Sequence, residues 1–413
     1  MKRKHRHLFI IGLVLPLLAL AQEQGVRTGA DLLLTKHFDL IKGKKLGLVL
    51  NHTAILSDGQ HLVDALHKAK NVKVVALFGP EHGVRGDTTG PVESSVDPKT
   101  GIPIHSLYSA TNKPTAQMLR GIDVLIYDIQ DVGARFYTYI STLGHIMEAA
   151  AEQGIRVIVL DRPNPIGGLY VDGPVRDDTL KSFVAFAKIP IAYGMTIGEL
   201  AQMYNGEGWL EPSVKADLHV VKMENWKRSM WYDQTQLPWI RPSPNMPTLA
   251  TATVYTGTCL FEGVNISEGR GTKRPFEYIG APWIDAVRVI QLLAKEPLHG
   301  VKFRPIQFTP TQAPQNARPP KYKGELCKGI FVIVKDRTVF EAVKTGIYLL
   351  WAIKKIHPEK MQWRLPGFDR LSGTSSVRTM LDTGKTPEEI FSAWKADLER
   401  FKSIRQRYLL YPR

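Results

Sequence analysis

Thirteen residues at positions 78–90, FGPEHGVRGDTTG, place Glu81, His82, Arg85 and Asp87 among four glycines and a proline. A carboxylate beside an imidazole and a guanidinium can be tuned for proton transfer. Glycines let a backbone approach a ligand closely. A charged surface loop is the competing reading. A second cluster, YDIQDVGARFYTY at 127–139, holds Asp128, Gln130, Asp131, Arg135, Tyr137 and Tyr139. Aromatic rings next to planar polar groups suit the grip of a sugar ring. A third, FEGVNISEGRGTKRPFEYIGAPW at 261–283, brings Asn265, Glu268, Arg270, Lys273 and Arg274. It is basic and glycine-rich, fit to hold a carboxylate or phosphate; a structural loop is its alternative.

The segments that must position these groups are legible from periodicity. Apolar runs at 46–50, 72–78, 124–127 and 157–160 end respectively at Asn51, at Gly79-Pro80-Glu81, at Asp128 and at Asp161. Helical patterns lie between them, at 61–69 and at 139–153, where Ile140, Leu143, Met147 and Ala150 share one face. Continuous β-branched strands alternating with helices predict an α/β fold with a Rossmann-like, mainly parallel sheet buried on both faces. Ligands of such sheets bind outside the carboxyl ends of the strands, which is where Asn51, Glu81-His82, Asp128 and Asp161 fall. Asp161, in the rigid turn Asp161-Arg162-Pro163, reads as structural and is expected to pair with Arg162. No GxGxxG follows a strand, so dinucleotide binding is not expected. A Trp/Pro-rich connection at 226–247 marks the domain boundary, giving domains 22–247 and 248–413. Beyond it lie strand-like runs at 254–261, 301–308 and 329–334, and helices at 339–356 and 386–407. Thr386, Pro387 and Glu389 form the N-cap, first-turn proline and capping box of the last helix. Its buried stripe is Ile390, Trp394, Leu398, Phe401 and Ile404.

Composition narrows the class. Residues 1–21 combine four Lys/Arg with an apolar run and Ala19-Leu20-Ala21, the layout of a cleavable export signal. The run falls short of the ~20 residues of a spanning helix, so no stable membrane insertion is expected. The expected destination is the periplasm or the outside. The whole chain carries +15, and +11 without that segment, which suits anionic cell-wall polymers or lipid headgroups. The charge is spread out and no recognition motif appears, so nucleic acid is not an expected partner. Cys259 and Cys327 allow one disulfide or two buried thiols. No GxSxG, HExxH, CxxC or Walker sequence is present. The spacing of His61, His82 and His145 fits no metal site, so neither metal nor cofactor is expected.

In order, the three clusters resemble the NamZ exo-β-N-acetylmuramidases, glycoside hydrolase family 171. The similarity includes GLVLNHT at 47–53, GPEHGVRG at 79–86, VDPKTGIPIHSLY at 96–108, LDRPNPIGG at 160–168, YGMTIGELA at 193–201, SPNMPTL at 243–249 and RQRYLLY at 405–411. The resemblance implies a Rossmann-like N-terminal domain, a smaller α+β C-terminal domain and an active site in the cleft between them. It implies removal of N-acetylmuramic acid (MurNAc) from non-reducing ends of peptidoglycan fragments. The family's EHG motif falls on Glu81-His82-Gly83, making Glu81 the expected general acid. The family's second glutamate has Glu93 as its near match, in a shortened GPVESSVD; Tyr193 stands where the family pattern has histidine. Glycosidases commonly use two carboxylates, and Asp131, Asp128, Glu93 and Glu268 are candidates for the second. His82 is grouped with the catalytic set. Asn51, Arg85, Asp128, Gln130, Arg135, Tyr137, Asn265, Glu268, Arg270 and Lys273 are the expected substrate contacts. Arg270, Arg135 or Lys273 would meet the lactyl carboxylate of MurNAc. The rival reading is a non-catalytic muropeptide-binding protein on the same fold.

Overall fold

The computed structural model describes residues 25–86, 93–312 and 319–413. The expected export signal and Asp87 lie outside them.

Among the described residues seven strands form the first sheet: β1 (Lys45–Leu50), β2 (Lys73–Gly79), β3 (Ser95–Val96), β4 (Pro103–Ser106), β5 (Val124–Asp128), β6 (Arg156–Leu160) and β7 (Leu218–Val221). Their order is β3-β4-β2-β1-β5-β6-β7, all parallel except β3. Strand alternation explains why both faces are covered. Leu46, Leu48, Ile126, Ile158 and Leu160 point to one core, under α1 (Gly29–Thr35) and α2 (Leu62–Lys68). Val49, Leu125, Tyr127, Val157 and Val159 point to the other, under α3 (Tyr139–Glu152) and α4 (Ile197–Gly206). Gly47 in β1 packs closely under its neighbours: a Cβ there would stand 2.8 Å from the ends of Ile122 and Leu125, which would have to shift.

The second core continues without a break into the C-terminal unit. There a three-stranded antiparallel sheet, order β8-β10-β9, consists of β8 (Tyr278–Ala281), β9 (Val301–Phe308) and β10 (Cys327–Val334). With it pack α5 (Leu249–Thr258), α6 (Ala286–Leu293), α7 (Ala342–Ile356), α8 (Gly367–Ser372), α9 (Ser376–Asp382) and α10 (Pro387–Arg405). The run at 254–261, strand-like in sequence, is helical instead. Thr248 caps α5 by accepting from the Thr251 N–H, and Gly257 meets Gly346 of α7 so closely that a Cβ on either would strike backbone. Tertiary packing of small residues overrides the β-propensity of Val254, Tyr255 and Thr256. α10 has the expected Thr386–Glu389 capping box and Pro387 start. Its stripe is buried from Ile390 to Phe401, with Ile404 half-buried. Cys259 and Cys327 are buried free thiols.

Candidate active site

The chain builds outward from β1 to β2 and β4, then returns to lay β5 on the other side of β1. The crevice outside the carboxyl ends of β1 and β5 is therefore the topological switch point, where doubly wound sheets hold ligands. Asn51 follows β1, Gln130 and Asp131 follow β5, and Glu81 follows the neighbouring β2.

Local hydrogen bonds fix the first of these. Asn51 Oδ1 accepts from the Thr53 N–H (2.9 Å) and hydroxyl (2.6 Å), and Thr53 Oγ1 accepts from the Gln130 N–H at 3.0 Å, tying the two strand ends together. His61 Nδ1 accepts from the Val63 N–H, so its Nε2 carries the proton that reaches the Asn51 carbonyl at 3.0 Å. His61 is thus a cap of α2 and a prop for Asn51. The Gln130 amide donates to the carbonyls of Asp131 and Pro163, both at 2.8 Å.

Asp131 is buried, with Oδ2 accepting from the Gly133 N–H at 2.6 Å and from the Tyr193 hydroxyl. Burial pushes its carboxyl up to about 6, against the opposing pull of Tyr193 and the backbone N–H groups. Four buried polar atoms lack a hydrogen-bond partner here, among the described residues: Asn51 Nδ2, Gln130 Oε1, Asp131 Oδ1 and Tyr137 OH. Asn51 Nδ2 stands beside the Tyr139 hydroxyl, and Tyr137 OH beside Ser243, but off hydrogen-bond geometry. Buried unpaired groups are rare in folded proteins, and Gln130 Oε1 and Asp131 Oδ1 leave positions at this strand end where a water or a polar ligand would fit.

Glu81 sits half-buried in the turn after β2, closed by the Gly83 N–H on the Pro80 carbonyl. His82 is held at φ +73° and Gly83 at +71°, and the left-handed backbone of His82 is local strain of the kind found at functional loops. Gly86 admits no side chain, because a Cβ would lie 2.6 Å from the His52 ring. Burial pushes the Tyr137 and Tyr139 phenols well up, and the charges of Glu81 and Asp131 both push the same way. The two phenols therefore lie within electrostatic reach of both carboxylates. Tyr139 and Tyr137 meet edge-to-face at 5.0 Å, Tyr137 meets Tyr255 at 5.9 Å, and Tyr255 meets Phe276 at 4.6 Å. This aromatic wall runs from the sheet edge to the third cluster, where Arg270 lies over Phe276.

Several expected contacts are spent on structure. Arg135 is buried and its guanidinium donates to the carbonyls of Pro174, Ile189 and Leu371 at 2.7–2.9 Å; it joins the two units and does not face a ligand. Asp128 is held bidentately by Arg162 at 2.5 and 2.9 Å. Asp161 accepts instead from Thr196, the Gly198 N–H and Tyr411, and takes only the backbone N–H of Arg162. Arg85 clamps Asp97 and Asp64, bracing the Glu81 loop from behind. Asn265 holds the backbone of Lys360 and Gln362. Glu268 is buried between Lys321 (2.8 Å) and Arg270 (3.3 Å), and these cations overcome the burial that would raise its carboxyl. Arg270 also bonds Glu262. Glu93 and Lys273 are exposed. Of the four candidates for the second carboxylate, Asp131 alone is buried with an oxygen free of partners among the described residues. Sequence reading missed Tyr193 as its partner: the two are 62 positions apart, and no local signal links them.

Fold and site together define a doubly wound α/β protein with acid–base groups and unsatisfied polar atoms at its switch point. The chain belongs to the NamZ exo-β-N-acetylmuramidase family: the N-terminal and C-terminal models of that family match residues 46–250 and 253–411. It is 46% identical over 394 residues, 95% of this chain and 92% of the other, to the peptidoglycan β-N-acetylmuramidase NamZ of Bacillus subtilis (strain 168). Crystal structures of two DUF1343 family proteins from Bacteroides fragilis share the fold. One has a TM-score of 0.87 at 40% identity and the other 0.76 at 39%, each covering 94% of this chain and 99% of its own.

Proposed function

We propose that this protein is an exo-acting glycosidase that releases MurNAc from non-reducing ends of peptidoglycan fragments, with Glu81 as its proton donor. The observation that carries the reading is the 46% identity to a peptidoglycan β-N-acetylmuramidase along nearly the whole of both chains. The site chemistry is in keeping with it: a half-buried carboxylate in a braced turn, a second carboxylate with an open oxygen, and an aromatic wall between the two units.

In this mechanism Glu81 gives its proton to the glycosidic oxygen as the bond from C1 breaks. The carbonyl oxygen of the 2-acetamido group attacks C1 in the same step, and Asp131 Oδ1 accepts the acetamido N–H and balances the charge that develops. Water then adds at C1 while Glu81 takes its proton, so Glu81 ends the cycle protonated. Lys273 and the part of Arg270 not held by Glu262 and Glu268 are the cations left to meet the lactyl carboxylate. Export directed by residues 1–21 would bring the protein to its polymer, and N-terminal sequencing of the mature protein tests that step.

The decisive experiment is Glu81→Gln assayed on a chromogenic MurNAc glycoside. Turnover should fall about 10²–10⁴-fold; near-wild-type turnover overturns the assignment. NMR of the first-formed anomer from a MurNAc–GlcNAc disaccharide tests the mechanism, since attack by the acetamido group retains configuration.

A further inference from the structure

An open groove of about 710 Å³ lies on the C-terminal unit, and none of the candidate active-site residues lines it. Its wall is Trp283, half-buried, with Gln307, Lys328 and Lys360 exposed around it. Lys328 on β10 pairs in register with Ala281 on one side and Gln307 on the other, so its ammonium and the Gln307 amide stand together on one sheet face. Trp283 is fixed at both ends: Nε1 donates to the Tyr322 hydroxyl (3.2 Å), and the ring meets His357 at 73°, 5.4 Å between centroids. Tyr322 donates to the Asn265 carbonyl at 2.6 Å, and the Asn265 amide holds Lys360 in place. Asn265, expected at the substrate of the active site, is therefore part of the groove's frame.

Among the described residues neither Lys328 nor Lys360 has an ion-pair partner, and the one carboxylate lining the groove, Asp285, caps α6 through the Arg288 N–H. The arrangement is a fixed indole flanked by a planar amide and two unpaired ammonium groups. An indole offers a flat apolar surface with a polar rim, and unpaired cations in a concavity attract anions. We propose that this groove is a second, non-catalytic binding site for the anionic glycan itself. Trp283 stacks on a pyranose face while Lys328 and Lys360 take lactyl or stem-peptide carboxylates. The proposal rests on the peptidoglycan reading above, and it gives the enzyme a hold on the polymer independent of the chain end being cleaved.

The test uses the full-length protein, Lys328→Glu/Lys360→Glu and Trp283→Ala. Binding is read by co-sedimentation with insoluble peptidoglycan, with neutral chitin as control, and turnover is read on the chromogenic MurNAc glycoside. The double charge reversal should weaken peptidoglycan binding about tenfold and leave glycoside turnover within about twofold. Trp283→Ala should weaken binding in the same direction, and wild-type protein should favour peptidoglycan over chitin. Unchanged sedimentation of the double variant, equal binding of chitin, or a parallel loss of glycoside turnover each overturns the proposal. A wild-type protein that sediments with peptidoglycan but is silent on the glycoside removes the glycosidase reading and leaves the groove standing.

Discussion

Two stretches of the sheet's carboxyl edge, after β6 and after β1 and β5, both bury acids and have opposite fates. At the β6 edge, Asp161 accepts from Thr196, Gly198, Tyr411 and Arg162. Beside it Glu199 is buried on Arg228 and also accepts from the Leu410 N–H at 2.7 Å. Arg405 donates to the Gly168 and Gly194 carbonyls. Three of the sequence stretches that carry the family resemblance, at 160–168, 193–201 and 405–411, meet in this knot. At the β1–β5 edge, Asn51, Gln130, Asp131 and Tyr137 each keep a buried atom without a partner. What separates the two is how their acids are satisfied. Every oxygen of Asp161 and Glu199 accepts a hydrogen bond, although Arg228 Nε beside them has no partner among the described residues, whereas Asp131 keeps Oδ1 open. An unpaired buried group costs about 1–3 kcal/mol that only a ligand or water repays.

Six substitutions can break or sharpen that contrast. Arg228→Met leaves Glu199 buried without its cation, and should cost about 3–5 kcal/mol in denaturant unfolding while folded protein keeps its kcat/KM. Glu81→Gln should do the reverse, holding the unfolding midpoint while turnover collapses. If Arg228→Met lowers kcat/KM of the folded fraction, the two edges are not separable.

Asp131→Asn should lower turnover about 10²-fold, more than Glu93→Gln; the opposite ranking moves the second-carboxylate role to Glu93. Its stability effect has a defined sign. The folded carboxyl titrates at about 6, above its ordinary 3.8, so the folded state holds that proton more tightly than the unfolded chain. Its contribution is complete below about pH 4 and lost as pH rises through 6, roughly 3 kcal/mol at most. The variant should lack that loss between pH 4 and 6, as followed by urea midpoints. The similar decline from Asp161, whose carboxyl burial pushes up to about 7, should persist in it.

Tyr193→Phe removes a donor to the ionised Asp131 and should move the acid limb of kcat/KM upward by about one pH unit; an unmoved limb detaches Asp131 from the chemistry. Smallest is Lys273→Ala, an exposed cation whose loss should raise KM about two- to fivefold with kcat unchanged.

Much of the fold was legible because buried parallel strands must be continuous apolar runs, and those before Asn51, Glu81, Asp128 and Asp161 all became central strands. The α10 cap was legible for the same local reason: Thr386, Pro387 and Glu389 satisfy one another within a turn. The site was legible only as a neighbourhood. Arg135 reads as a substrate clamp beside Tyr137, yet carbonyls up to 236 positions away take its Nη1 and Nη2. Asp128 and Asp131 are equivalent in sequence, and Arg162 alone, arriving from the next strand, neutralises the first.

The sequence by itself determined the strand–helix rhythm, the sheet edge at which chemistry would gather, and Glu81 as an acid in a glycine-framed turn. Each depends on residues within a few positions of one another. Which of the gathered groups stay open was decided only by tertiary structure. A hydrogen bond needs a partner within about 3 Å, and those partners come from strands, loops and a C-terminal segment that sequence distance does not connect.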